Sequence, residues 1–364
     1  MNGHFRRDQR NMEYRKWFKN TIILLAVIFV ATAALTVVVD PYFHYHRPIF
    51  KYRLLEPRYI NDGISRHFDF DSVITGTSMS QNFKCTMFDE LFDAKSVKLP
   101  LAGAGYEEIS DEMARAIKRN PGIKNVLWVI DYNGLLRKSD WSQYSGYPVY
   151  MYDENVLNDG PYLLNKDILY HGTVPNIMMT ISGGESDSMD SYTFDDEPTG
   201  ASAVYTGRTA KETPSSTTLT DEERSIVEDT FNSNIISIVR EHPETTFYMY
   251  FTPYSIYYWE MLDAKGQIEK YIEAQKIATE LLLKCPNVKL YSFFERTDII
   301  CDLDYYRDAG HYSYTVSDII MDMIANGEGI LTKENYEERI AWQKDYYMSF
   351  DYDAYFDEIE KETE

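Results

Sequence analysis

Nineteen consecutive residues from Thr21 to Val39, TIILLAVIFVATAALTVVV, carry no charge, and no other feature restricts the chain as much. A helix of roughly 20 apolar residues is what a hydrocarbon core of about 30 Å requires, so this run is expected to span a bilayer. Arg6, Arg7, Arg10, Arg15, Lys16 and Lys19 precede it against only Asp8 and Glu13, and Asp40 follows at once. Basic flanks stay on the cytoplasmic side. The expectation is therefore a single-pass cell-membrane protein with its N-terminus in the cytoplasm and its C-terminal domain extracellular. A cleaved signal peptide is the competing reading, with a small-x-small site at Ala31-Thr32-Ala33. The run continues through Leu35 and Val37 to Val39, further than an h-region needs.

Charge narrows the partners. The chain has a formal net charge of −22. The first twenty residues contribute six basic and two acidic groups, a formal +4, which leaves −26 for the remainder. A phosphate backbone is bound by basic patches, so nucleic acid is not an expected partner, whereas such a charge keeps an exposed domain soluble. With 44% apolar and 15% aromatic residues, the exported part has the means to build a buried core. Its cysteines, Cys85, Cys285 and Cys301, are too far apart for a disulfide framework or a zinc-like site, although one bridge between distant cysteines stays open. No metal and no cofactor is expected.

Beyond the anchor, DPYFHYHRPIFKYRLLEPRYINDG with Pro41, Pro48 and Pro57 reads as an extended, aromatic and basic connector, residues 40–67. A strand and helix rhythm follows. DSVITG ends in Gly76 and precedes a helical MSQNFKCTMFDELF, SVKLPL precedes the amphipathic EEISDEMARAIKRN, and NVLWVIDY is a continuous apolar run of the kind buried on both faces of a parallel sheet. Residues near 138–220 break the rhythm and read as a loop-rich insertion. Order resumes with a helix capped by Thr220 and Glu223, the strand TTFYMYFTP, the helical QIEKYIEAQKIATELLLKC, the strand NVKLYSF and a last helix near Tyr314. Residues 326–364 form an amphipathic, acidic tail, read as a helix packing on the domain or as a partner-binding segment. The α/β domain then covers 68–325.

Chemistry is concentrated at strand ends. Gly76-Thr77-Ser78-Met79 sits where the first strand turns into a helix, a position at which ligands and catalytic groups collect in open α/β sheets. Ser78 there is either a nucleophile beside free backbone N–H groups or a plain helix cap. Asp308-Ala309-Gly310-His311 has the spacing that lets a carboxylate orient an imidazole, and equally that of a surface pair. Gly103 after the second strand and Asn133 after the third stand where oxyanion donors would be needed, or form ordinary turns. In FTPYSIYYW, Tyr254, Tyr258 and Trp259 are read as an apolar or sugar-stacking wall, against the alternative of core aromatics.

Taken in order, the serine, glycine, asparagine and Asp-x-x-His resemble the SGNH (GDSL-like) hydrolase superfamily over roughly residues 68–325. That resemblance implies an SGNH/flavodoxin-like three-layer α/β sandwich with a mostly parallel sheet. It implies Ser78 as nucleophile, His311 as base, Asp308 as its orienting carboxylate, and Gly103 with Asn133 in the oxyanion hole. The family's Gly-Asp-Ser is Gly76-Thr77-Ser78 here and its Gly-x-Asn-Asp becomes Asp131-Tyr132-Asn133, so Asp131 or Tyr132 competes for the asparagine's place. YMYDENVLNDGPYLLNKDIL, FTPYSIYYW and DAGHYS are further similar to membrane-anchored SGNH-like proteins of Gram-positive bacteria.

The resemblance implies a serine esterase or O-acyltransferase working on cell-envelope glycan, a teichoic-acid-like or another exported polymer, alongside a membrane-bound O-acyltransferase. The reading from a different class is a non-catalytic binding or assembly subunit that retains the fold. The distance from Ser78 Oγ to the His311 ring separates the two, because catalysis is implausible beyond about 5 Å.

Overall fold

The computed structural model describes residues 2–143, 146–191 and 198–363. Parts of the expected insertion, residues 144–145 and 192–197, lie outside the described residues. Two compact units emerge, one made of residues 1–63 and 148–187, the other of 64–147 and 188–364.

The first unit begins with helix α1 (Asn2–Val39), which is long and apolar enough over Met12–Val39 to cross a membrane. Only 11% of its most apolar window is buried, and residues around its circumference from Ile22 to Val30 are exposed. Asp40 ends it with a left-handed φ of 45°, and its buried carboxylate accepts the backbone N–H groups of His44, Tyr45 and His46 at 3.0, 2.7 and 2.9 Å. The Tyr162 hydroxyl donates to the same carboxylate at 2.7 Å. The segment after the anchor is thus wound into a compact turn, where the sequence reads as extended. The reason is a partner distant in the chain: Asp159 accepts from the Tyr45 hydroxyl at 2.8 Å and lies 3.2 Å from His44 Nε2. Further along, Arg53 pairs with Asp187 at 2.9 Å. The boundary between the units falls within helix α2 (Pro57–His67).

The second unit is an α/β structure around a six-stranded, mostly parallel sheet: β1 (Ser72–Gly76), β2 (Ser96–Pro100), β3 (Asn125–Ile130), β4 (Thr246–Phe251), β5 (Val288–Tyr291) and β6 (Ile330–Leu331). Their order is β2-β1-β3-β4-β5-β6, with only β6 antiparallel. The register aligns Gly76 with Pro100, Ser72 with Asn125 and Ile130 with Phe251, so the carboxyl ends of β1, β3 and β4 share one edge of the sheet. Every residue of β1 and all but the first of β3 and β4 are buried, which accounts for their unbroken apolar runs. In an order beginning 2-1-3-4-5, the chain reverses direction across the sheet at β1 and β3, and the crevice that opens there is where such sheets bind ligands.

Helices α3 (Cys85–Phe92) and α4 (Tyr106–Arg119) follow β1 and β2. The expected cap is present at helix Asp221–Phe231, where Thr220 Oγ1 accepts the Glu223 N–H at 3.2 Å and Glu223 accepts the Thr220 N–H at 2.9 Å. The stretch after Asn326 adds β6 and helices Tyr336–Ser349 and Tyr352–Thr363. Gln343 donates to Gln275 at 2.9 Å and the Tyr347 hydroxyl to the Phe294 carbonyl at 2.7 Å, both in buried positions, so this tail contributes to the core. All three cysteines are free thiols.

Candidate active site

Ser78 opens a single 3-10 turn, Ser78–Ser80, at the end of β1. Gly76 makes the approach possible: its φ is 145°, and a Cβ there would lie 2.8 Å from the Val129 carbonyl oxygen and 2.9 Å from the Val129 Cβ on the neighbouring strand. Ser78 Oγ stands 2.7 Å from His311 Nε2, and His311 Nδ1 stands 2.7 Å from Asp308 Oδ2. Because a carboxylate accepts only, Nδ1 carries the proton and Nε2 is left to accept from the serine hydroxyl.

The loop that brings Asp308 and His311 here is pinned from several sides. Tyr306 and Tyr312 form an antiparallel bridge, and the Arg307 N–H donates to the His311 carbonyl at 3.0 Å. Ser255, just beyond β4, donates its backbone N–H and its hydroxyl to the Ala309 carbonyl at 3.1 and 2.8 Å. Asp308 Oδ1 accepts the N–H groups of Gly310 and His311 at 2.8 and 2.7 Å. Burial pushes the Asp308 carboxyl up. The hydrogen bond and charge of His311 and the two backbone N–H groups outweigh it and bring the carboxyl down to about 2. The carboxylate that orients His311 is therefore ionised across the whole physiological range.

Gly103 and Asn133, both expected to stand beside the serine, line the same cavity of about 510 Å³ as Ser78, Asp308 and His311. Gly103 has a left-handed φ of 70°. Among the described residues, the backbone N–H groups of Ser78 and Gly103 and the Asn133 side-chain amide have no protein acceptor. They are free to donate to a substrate oxygen.

Tyr254 and Tyr258 also line the cavity, each less than a tenth exposed. Trp259 does not. It is fully buried and stacks on Tyr347 with ring centroids 4.0 Å apart. Tyr258 and Trp259 are adjacent on helix Ile256–Ala264, where successive side chains are about 100° apart, so only one of the two can face the cavity. The reading of Trp259 as a wall residue is corrected accordingly.

The two departures from the SGNH pattern turn out to be bonded to each other. Thr77 Oγ1 donates to Asp131 Oδ2 at 3.0 Å, joining the ends of β1 and β3. Asp131 Oδ1 accepts the Asn133 N–H at 3.0 Å and also the Tyr254 hydroxyl. Burial and this carboxylate hold the Tyr254 phenol well above its ordinary range. Asp131 thereby fixes the turn that carries Asn133. The signal in the sequence was that both departures fall at the carboxyl ends of neighbouring strands. Among the described residues, no cluster of three or more His, Cys, Asp or Glu side chains is placed to hold a metal.

No family model matches the chain, and the search of curated proteins and of solved structures gave no match.

Proposed function

We propose that the protein is a membrane-anchored serine esterase or O-acyltransferase of the SGNH type, acting outside the cytoplasm on cell-envelope glycan or another exported polymer. The observation that carries this reading is the Ser78–His311–Asp308 chain, two contacts of 2.7 Å in a cavity large enough for a substrate segment. The serine-to-histidine distance falls well inside the 5 Å limit that separates a working relay from a retained fold, which favours the enzyme over a purely binding subunit.

In this mechanism His311 Nε2 takes the Ser78 proton as Oγ attacks an acyl carbonyl. Asp308 stabilises the imidazolium that forms, and the N–H groups of Ser78 and Gly103 with the Asn133 amide receive the oxyanion. His311 then returns the proton to the leaving alcohol, and an acyl-enzyme remains on Ser78. Water completes hydrolysis and a sugar hydroxyl completes transfer, each activated by the same Nε2. An apolar anchor at the start of the chain supports work on molecules close to a bilayer, beside a membrane-bound O-acyltransferase in the transfer case.

The test is covalent labelling of the detergent-solubilised full chain with a fluorophosphonate. Wild type is expected to label at Ser78, and Ser78→Ala and His311→Ala to lose labelling and aryl-ester cleavage together. Undiminished labelling or cleavage by Ser78→Ala would overturn the assignment.

A further inference from the structure

The charged groups lining the catalytic cavity are partnered unequally. Both carboxylates are engaged, Asp308 with His311 and Asp131 with Thr77, Tyr254 and the Asn133 N–H. Both cations, Arg137 and Lys265, line the same cavity without a carboxylate partner among the described residues. In a chain with 58 acidic against 36 basic residues, a half-buried cation left unpaired is out of character. Other half-buried arginines of this unit illustrate the norm: Arg115 pairs with Glu112 at 2.8 Å and Arg296 with Asp298 at 2.6 Å, while Arg208 contacts Asp353 and Arg339 contacts Glu295.

Arg137 is held in place without being neutralised. Its guanidinium lies over the Trp141 ring, 3.9 Å from the centroid. Stacking of this kind occupies the face of the guanidinium and leaves the in-plane N–H donors, the ones that grip a carboxylate or phosphate in pairs, pointing elsewhere. Lys265 ends helix Ile256–Ala264, where the helix dipole favours a cation. That accounts for a lysine at this position but not for its sharing a cavity with Arg137. Gln143 and Gln267 add uncharged amide donors to the lining.

We propose that this wall binds an anionic group, phosphate or carboxylate, carried by the substrate alongside the ester presented to Ser78. The inference rests on the acyl-transfer reading of Ser78 for its meaning, though not for its test. A phosphate- or carboxylate-bearing polymer is thereby preferred over a neutral glycan, and the local cations offset the repulsion that a chain of net charge −22 exerts on such a polymer.

Calorimetry on the detergent-solubilised full chain tests the wall directly, with inorganic tripolyphosphate as the phosphate probe and citrate as the carboxylate probe. Wild type and Ser78→Ala are expected to bind at least one of them, more weakly at higher salt. Arg137→Gln combined with Lys265→Gln is expected to weaken binding about 10-fold or more, and Arg137→Lys combined with Lys265→Gln to restore part of it. Thermal melts establish that the variants are folded. Which probe binds more tightly decides between phosphate and carboxylate. Absence of binding by wild type, or equal binding by the folded double variant, would overturn the proposal.

A kinetic arm compares 4-nitrophenyl hemisuccinate with 4-nitrophenyl butyrate. The ratio of kcat/KM, charged over neutral, should fall about 10-fold in the double variant. An unchanged ratio counts against the wall. Failure of both esters and of fluorophosphonate labelling, with anion binding intact, would instead remove the esterase reading and leave the anion site standing.

Discussion

Replacing Asp308 by Asn tests the relay at its least intrusive point. The side chain keeps its shape, and its remaining oxygen can still accept the N–H groups of Gly310 and His311 that Oδ1 accepts now. The amide nitrogen then takes the place of Oδ2, 2.7 Å from His311 Nδ1. A donor facing Nδ1 turns that nitrogen into an acceptor and moves the proton to Nε2, which can no longer take one from Ser78. The variant also removes the charge that stabilises the imidazolium. At this separation, with solvent screening suited to a half-exposed pair, the lost attraction is about 3 kcal/mol, and the wrong tautomer adds to it. The labelling rate should therefore fall about 10²–10⁴-fold. The assay is the second-order rate of fluorophosphonate labelling from pH 5 to 9, followed by in-gel fluorescence, with a thermal melt as control. Because the carboxyl is held at about 2, the wild-type rate should show no acid limb from Asp308 within this range. A folded Asp308→Asn that labels within threefold of wild type would refute the assigned role.

Other perturbations address different contacts. Asp131→Ala and Thr77→Val each remove the bond between the ends of β1 and β3, and each should slow labelling about 10-fold and cost about 1–2 kcal/mol of stability; the double variant should lose little more than the costlier single one, and strict additivity would argue against a shared network. Lys98, buried on β2, has its ammonium disfavoured by burial, which lowers its pKa to about 8 despite the charge of nearby Asp190. The folded state therefore releases this proton before the unfolded chain does, so the stability of wild type relative to Lys98→Met should rise by about 1–2 kcal/mol as pH goes from 7.5 to 9.5. Thermal midpoints across that range would contradict this if the two proteins ran parallel.

The sequence was informative wherever neighbouring residues decide the structure. The apolar run of α1, the buried strands β1, β3 and β4, and the capping pair Thr220 and Glu223 are local patterns of period and composition. Ser78, Gly103, Asn133, Asp308 and His311 could be found because each follows a strand or precedes a helix, and the parallel register then gathers strand ends by itself. What escaped depends on contacts between distant residues. Asp131 read as a rival for the asparagine's place because its partners, Thr77 just beyond β1 and Tyr254 just beyond β4, are more than fifty positions away. Trp259 could not be told from Tyr258 without knowing which side of their helix faces Tyr347. The segment after the anchor read as extended because the residue that binds its turn, Asp159, is more than a hundred positions away. β6 has only two residues, too few to leave a pattern.

That last long-range pairing has a consequence for how the protein is made. The unit that begins with the anchor is completed by residues 148–187. Chains emerge from the ribosome N-terminus first, so Asp40 and its turn must wait for Asp159 and Tyr162 while β1, β2 and β3 are produced in between. Helix α1 is made long before its own unit can close. During that interval the half-formed sheet lacks β4 to β6, and the edge of β3 that will later receive β4 is unpaired. A chain of this design depends on prompt synthesis or on a chaperone to carry it through that stage.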